Sequence, residues 1–196
     1  MMFFIGILNV ENYPVHEEQL NTLRQSLKYR TRLKYKSNDK YKVEFAKTVI
    51  EYFVNNQDLS LVIKKVPYPN TGQLNNPSFA SLSYQKINFY KELLDDMLST
   101  NKIPSKIITK YQSINGPSGI FNSKFQSETN KDFEAKVTYN SNLLQMASFL
   151  CSSIASDVRK VARVSKKVEV TNYLKSLLNI DSFNTNMDNG KIIIKI

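Results

Sequence analysis

The chain has 196 residues, 41% hydrophobic and 22% charged, which suits a folded domain with its own core and excludes a wholly disordered chain. Lys and Arg total 27 against 17 Asp and Glu, a formal charge of +10 that favours a polyanionic partner. The single cysteine, Cys151, excludes an internal disulfide and a cysteine-clustered zinc site, and the single His16 removes most histidine-based catalysis.

The first predicted element is a strand. Residues 2–10 read MFFIGILNV, a near-continuous apolar run expected of a strand covered on both faces. The run is too short to span a bilayer, and it lacks the basic region and cleavage site of a signal peptide. The sequence therefore predicts a cytoplasmic protein without a membrane partner.

The next elements are a helix, an extended segment, a second helix and a strand. Leu20, Leu23 and Leu27 predict a helix over 16–28 with acids in its first turn, after a break at 12–14. YRTRLKYK (29–36) alternates as in a short strand or extended segment with a basic face. A second helix, capped by Asn38 or Asp39, carries an apolar stripe and ends near Asn55; the stripe consists of Val43, Ala46, Ile50, Phe53 and Val54. LSLVIKKV (59–66) is β-branched and predicts a strand.

The middle and end of the chain continue the alternation. Residues 67–83 predict a long loop, 84–100 a helix, and 106–111 and 133–140 two strands. The longest helix is predicted over 141–165, with Leu143, Ala147, Leu150, Ile154, Val158 and Val161 inward, followed by a shorter helix over 171–179 with Leu174, Leu177 and Leu178 inward. The final KIIIKI predicts either a closing strand or an exposed tail. We therefore expect one α/β domain over 1–180, a mixed or mostly parallel sheet flanked by helices, and a C-terminal segment over 181–196.

Standard catalytic motifs are absent. The sequence has no Gly-rich phosphate loop, dinucleotide-binding Gly triad or serine-nucleophile elbow, and only five glycines in all. Composition therefore favours a binding or assembly role over catalysis.

Three stretches resemble a known family. They are RLKYK (32–36) ahead of a helix and the strand LSLVIKKV; the run INFYKELLDDML, KIITKYQS and INGPSGIFNSKF; and NLLQMASFLCSSI (142–154) at the start of the longest helix. Together they resemble the RNase H-like family catalogued as domain of unknown function thirty-eight hundred, from about Phe3 to Asn179. The resemblance implies an RNase H-like fold and, in active members, carboxylates that bind two divalent metals for nucleic-acid cleavage.

The acidic positions implied by the resemblance are replaced in this chain. The glutamate of the family's Glu-Leu-Lys motif corresponds to Arg32, the aspartate of the later strand to Thr109 or Lys110, and the aspartate of the helix to Ser148. The first strand, with its Asp-Glu-Ser, is missing because residues 3–10 resemble the second. The guanidinium of Arg32 and the ammonium of Lys110 would repel a metal, so the resemblance implies a degenerate protein with no catalytic residues, metal or cofactor.

Other acids do not suggest a replacement site. Asp95 and Asp96 are adjacent and point apart on a helix, while Glu44 and Glu51 fit a solvated stripe. Asp157 lies more than two turns beyond Ser148. The alternative is an active Mg²⁺- or Mn²⁺-dependent nuclease that uses acids outside the family pattern.

Two basic groups are candidate nucleic-acid contacts. One is Lys28, Arg30, Arg32, Lys34 and Lys36, interleaved with Tyr29 and Tyr35 that would stack on bases. The other is Arg159, Lys160, Arg163, Lys166 and Lys167 at the end of the longest helix. The competing interpretations are helix-dipole complementarity, solubility and a Lys- and Asn-rich coding bias.

Gln145 is the polar residue of that helix start expected to be partly buried and bonded to backbone. Cys151 is expected to be a small buried hydrophobe. The leading hypothesis is a degenerate RNase H-like subunit that binds nucleic acid or an acidic protein surface, or that completes its sheet with a partner chain or a second copy.

Overall fold

In a computed structural model of the chain, the described residues are 2–33, 40–67, 106–110, 134–138, 141–160, 165–183 and 186–195. They form strands and helices in the order β1 (Met2–Val10), α1 (Tyr13–Ser26), α2 (Lys40–Asn55), β2 (Leu59–Pro67), β3 (Lys106–Lys110), β4 (Glu134–Thr138), α3 (Asn142–Val158), α4 (Ser165–Leu178), β5 (Met187–Asp188) and β6 (Ile192–Lys195). The predicted loop beyond Pro67 and the predicted helix over 84–100 lie outside the described residues.

The described strands form two sheets. Four strands lie in the order β1-β2-β6-β5, and β3 and β4 form a separate parallel pair. Within the larger sheet β6 is parallel to β2, with Leu61 opposite Ile192, and antiparallel to β5, with Met187 opposite Ile194. The expected α/β class with a mixed sheet is confirmed, and the C-terminal KIIIKI forms the closing strand that was one of its two predicted alternatives.

Contacts along the chain divide it into two compact units. Residues 66–140 supply the smaller unit, and residues 2–65 together with 141–196 supply the larger one. The single domain expected over 1–180 stays a prediction, because two contact units can still unfold cooperatively as one domain.

The core of the larger unit is built from α2, α3, α4 and the central strands. Its largest fully buried side chains are Phe53, Ile50, Leu59, Leu61, Ile63, Met146, Leu150, Ile154, Leu174 and Ile192. Helix α3 packs against β1 and α1, and α4 packs against α2 and α3. The close approach of α3 to β1 depends on Gly6, where an added Cβ would lie 3.1 Å from the Cβ of Cys151.

The start of the first predicted helix was wrong. Helix α1 begins at Tyr13, because Asn12 adopts a left-handed φ of 55° and Pro14 fits the first turn. Glu17 and Glu18 therefore fall beyond that turn, which contains no acid. Leu27 follows the helix and is exposed, whereas Leu20 is buried.

The predicted end of the long helix, at residue 165, was also wrong. Helix α3 stops at Val158, and Lys160 adopts a left-handed φ of 53° that ends the helical path. Helix α4 then starts at Ser165, six residues before the predicted start. Leu174 is fully buried as expected, but Leu177 is exposed, because the buried face of α4 runs through Val170 and Leu174.

Candidate functional site

Residues 28–32, called the basic segment below, follow α1 in a fixed backbone path. Lys28 takes a left-handed φ of 52° and donates its backbone N–H to the carbonyl of Gln25 at 2.9 Å. The N–H of Tyr29 donates to the carbonyl of Arg24 at 2.8 Å. These bonds end the helix in the manner of a helix C-cap and turn the chain away from its axis. Of the two alternatives predicted over 29–36, a short strand or an extended segment, the strand is not formed at residues 29–33.

Two buried side chains anchor the basic segment. Tyr29 and Leu33 are 7% and 6% exposed, and the ring of Tyr29 stacks on Phe45 with centroids 4.1 Å apart. The Tyr29 hydroxyl donates to the carbonyl of Arg32 at 3.2 Å. The prediction that Tyr29 stacks on nucleic-acid bases is therefore wrong, because its ring is already packed inside the protein.

The charged side chains next to these anchors point outward. Lys28, Arg30 and Arg32 are all exposed. Lys34, Tyr35 and Lys36, the rest of the predicted basic group, lie outside the described residues. The described part of this group is thus three cations on a segment whose backbone is tied at both ends.

Arg24, in the last turn of α1, supports the basic segment from below. Its Nη1 donates to the carbonyl of Thr31 at 2.5 Å, its Nε to Asn142 Oδ1 at 2.9 Å and its Nη2 to Gln145 Oε1 at 3.0 Å. Burial lowers the pKa of Arg24, while Tyr29 and Glu17 act in the opposite direction. Arg24 was not among the predicted site residues, although its position four residues after Leu20 places it on the buried face of α1.

Gln145 joins the same cluster from α3. Its Oε1 accepts a hydrogen bond from the backbone N–H of Leu33 at 3.0 Å, in addition to the bond from Arg24. The expectation that Gln145 is partly buried and bonded to backbone is confirmed. The bond connects the end of the basic segment to the first turns of α3.

The second predicted basic group is not on one helix. Arg159 and Lys160 are exposed at the end of α3, whereas Lys166 and Lys167 lie half-buried in the first turn of α4. Arg163 lies outside the described residues. A favourable interaction with a helix dipole therefore accounts only for Arg159 and Lys160, which lie at the C-terminus of α3. The N-terminus of α4, where Lys166 and Lys167 lie, disfavours positive charge. Arg159 also covers the Phe4 ring, with its Cζ 5.0 Å from the ring centroid.

The three acidic positions implied by the family resemblance, one of which corresponds to either Thr109 or Lys110, are divided between the two units. Thr109 and Lys110 are the last two residues of β3, in the smaller unit. Arg32 and Ser148 belong to the larger unit, where Leu33 bonds to Gln145 and Ser148 follows Gln145 by three residues. Leu33, the residue after Arg32, is thus tied to the turn of α3 that precedes Ser148.

Carboxylates of the larger unit are engaged in structural contacts. Glu17 accepts from the backbone N–H groups of Asn142 at 2.5 Å and Leu143 at 3.1 Å. Asp157 accepts from Lys175 Nζ at 3.2 Å and from the N–H of Phe183 at 3.1 Å. Within the described residues no three His, Cys, Asp or Glu side chains are grouped so that they would hold a metal ion.

The only histidine is buried between two helices and a strand. His16 is 3% exposed, with Nδ1 2.6 Å from the Tyr52 hydroxyl and Nε2 3.3 Å from Asp58 Oδ2. Burial, and secondarily Asp58, raises the pKa of Tyr52, so its hydroxyl stays protonated. This group ties α1 and α2 to the start of β2.

Cys151 faces Gly6 in the contact between α3 and β1. Burial raises the pKa of its thiol to about 12, with Arg159 acting weakly in the opposite direction. The group is therefore a neutral thiol at physiological pH and not a nucleophile.

None of the described helices is long and apolar enough to cross a membrane. Comparison with protein-family models, curated proteins and solved structures finds no match to this chain. The case for a function therefore depends on the residues and their geometry.

Proposed function

We propose that this chain is a degenerate RNase H-like protein that binds the nucleic-acid backbone through its basic segment and does not cleave it. The observation that carries the proposal is the pairing of outward Lys28, Arg30 and Arg32 with a backbone fixed by buried Tyr29 and Leu33. Lysine and arginine provide most of the affinity of proteins for phosphate backbones.

The fixed backbone is what distinguishes this segment from an ordinary solvated run of charge. A flexible basic segment loses conformational entropy when it binds, and this loss offsets part of the electrostatic attraction. Here the chain is already held by hydrogen bonds at Tyr29, Thr31 and Leu33. The cations therefore reach a polyanion with little further ordering of the backbone.

The absence of catalysis is supported by the replaced acidic positions. Arg32, which stands where the family resemblance requires a glutamate, is exposed, and Ser148 stands where it requires an aspartate. A guanidinium in place of a carboxylate favours an anionic phosphate group and disfavours a divalent cation, and a hydroxyl lacks the negative charge that such a cation needs.

Recognition should depend little on base sequence. Phosphate contacts carry no sequence information, and the ring of Tyr29 is buried against Phe45 instead of being available to bases. We expect a Kd on the order of 10⁻⁵ M at physiological salt, as for other backbone-directed binders.

A role as an assembly subunit is the second candidate, and the edge of the sheet favours it. Among the described residues the nine-residue strand β1 pairs with one neighbour, β2. An edge strand of this length is able to accept a strand from another chain, which would replace the family's missing first strand.

The decisive experiment is a fluorescence-anisotropy titration of labelled short single-stranded and duplex oligonucleotides at several salt concentrations. The double variant Arg30→Glu with Arg32→Glu should weaken binding. The slope of log K against log salt concentration should become less negative by about 2, because two phosphate contacts are lost. Lys64→Glu with Lys65→Glu is the matched control, because it changes the net charge equally at two positions of β2 that belong to neither predicted basic group.

Three results would contradict the proposal. Equal losses in both double variants would assign binding to overall charge. No binding by the unaltered chain would leave the assembly role as the better candidate. Cleavage that requires Mg²⁺ or Mn²⁺ and disappears with EDTA would favour the nuclease alternative.

A further inference from the structure

Arg24 is the point where three separate parts of the larger unit meet. From α1 its guanidinium reaches the carbonyl of Thr31 in the basic segment and the side chains of Asn142 and Gln145 on α3. Each of its three side-chain nitrogens thus donates to an acceptor inside the protein. None of the three is directed to a ligand in this arrangement.

The aromatic pair beneath the segment adds a second restraint on Arg24. Its Cζ lies 5.4 Å from the centroid of the Tyr29 ring and 5.2 Å from that of Phe45, both within the range of a cation–π contact. These rings are the same ones that hold the start of the basic segment in place. Arg24 therefore restrains the segment through its backbone at Thr31 and through the buried ring at Tyr29.

Gln145 couples the far end of the segment to the same guanidinium. One oxygen, Gln145 Oε1, accepts from both Arg24 Nη2 and the N–H of Leu33, each at 3.0 Å. Loss of Arg24 would release this amide to rotate, and the acceptor for Leu33 would lose its fixed orientation. The backbone on both sides of Arg30 and Arg32 is thus held by one side chain.

We propose that Arg24 is a positioning residue for nucleic-acid binding, which acts by fixing the backbone of residues 29–33 and makes no contact with phosphate. This inference rests on the proposed function of the basic segment. Two roles are thus divided among neighbouring cations. Lys28, Arg30 and Arg32 contact the phosphates of the ligand, and Arg24 restrains the backbone of the segment.

An arginine is required because the three acceptors lie in different directions. The planar guanidinium presents five N–H donors in a fixed fork, whereas a lysine ammonium is a single compact donor group on a flexible stem. Arg24→Lys keeps the formal charge but is unable to bond to Thr31, Asn142 and Gln145 together. The variant therefore tests order without changing net charge.

The test combines the oligonucleotide titration with amide hydrogen exchange. Arg24→Lys should weaken binding roughly tenfold, the consequence of ordering about one more residue on binding, with an unchanged salt slope. Without ligand, the amides of Tyr29 and Leu33 should exchange faster than in the unaltered chain, while that of Ile50 in α2 should not change. Gln145→Ala, which removes the shared acceptor on α3, should reproduce both the weaker binding and the faster exchange at Leu33. It serves as the second variant if Arg24→Lys does not fold.

The outcomes separate the two proposals. Unaltered affinity in both Arg24→Lys and Gln145→Ala would overturn the positioning role and leave the proposed function standing. A shallower salt slope in Arg24→Lys would overturn it too, because it would make Arg24 a phosphate contact. Failure of the unaltered chain to bind any oligonucleotide would overturn the proposed function itself, and exchange at Tyr29 and Leu33 would then report a structural contact alone.

Discussion

Glu17 stabilises a helix that begins far from it in the sequence. Its carboxylate accepts from the N–H groups of Asn142 and Leu143 and from the hydroxyl of Ser141, the residue that also caps α3 through the N–H of Leu144. Negative charge at a helix N-terminus interacts favourably with the helix dipole and with N–H groups that lack partners within the helix. The contact fastens α1 to α3.

Substitution Glu17→Gln should lower the free energy of unfolding by about 1–3 kcal/mol. The amide removes the charge and presents an NH2 group to backbone donors, so at least one N–H of α3 loses its acceptor. Urea denaturation monitored by circular dichroism measures the change. Glu18→Gln is the matched control, since Glu18 is exposed on the same helix and should change stability by at most about 0.5 kcal/mol. Equal effects of the two substitutions would exclude the capping role.

At the residue scale, the sequence predicted contacts that follow from helical spacing. The buried Leu143, Leu150 and Ile154 follow from that spacing, and Gln145 follows from its place among them. Tyr29 was predicted wrongly because its partner, Phe45, lies in α2 and is not recognisable from local pattern. Charged residues on an apolar face, such as Glu17 and Arg24, were the available signal for the contacts that were missed.

Among the elements, the break between α3 and α4 departs furthest from the predicted pattern. Apolar spacing predicted one helix through residue 165, but α3 ends at Val158 and packs against α4. Helices that end in a left-handed residue usually carry Gly there, and here the residue is Lys160. The end of α3 was therefore hidden from local sequence signals, while the strands at 59–67, 106–110 and 134–138 were predicted closely.

A buried hydroxyl pair links the two helices. Ser153 Oγ and Thr171 Oγ1 are 2.9 Å apart, and both side chains are buried. We expect Ser153→Ala and Thr171→Val each to destabilise the protein, and the double variant to lose less than the sum of the two. The non-additive part should be about 1 kcal/mol, the usual net value of a hydrogen bond, because the double variant removes both polar groups together.

A double-mutant cycle from urea denaturation measures this coupling. Ser152→Ala combined with Thr171→Val is the matched control, because Ser152 is exposed and bonds to the carbonyl of Ser148 in its own helix. Additive losses in the Ser153 cycle would mean that the hydroxyl pair does not hold α3 to α4.

At the scale of the whole molecule, the larger unit is assembled from two distant parts of the chain. Strand β6, near the C-terminus, lies between β2 and β5, and its Ile192 and Ile194 are buried. The parallel pairing of β2 with β6 joins a segment that precedes the smaller unit in the sequence to one that follows it. Alternation of strands and helices predicted a mixed sheet, but strand order depends on long-range packing that local patterns do not contain.

This assembly predicts that the larger unit folds without residues 66–140. Residues 2–65 and 141–196 share one cluster of buried side chains that includes Phe53, Leu150 and Ile192, so these parts supply a core of their own. Joining Lys65 to Ser141 by a flexible Gly/Ser linker should preserve cooperative unfolding, because loop-closure entropy changes only slowly with loop length. Linkers of several lengths guard against one that is too short to span the two ends.

Far-UV circular dichroism and urea denaturation of the shortened chain test this prediction. Ile194→Asp in the same background is the control, since a charge in the buried face of β6 should abolish the cooperative transition. A shortened chain that unfolds without cooperativity at every linker length would mean that the two units form one domain. A folded shortened chain that binds oligonucleotides with the Kd of the full chain would assign the interface to the larger unit, where the basic segment and Arg24 both lie.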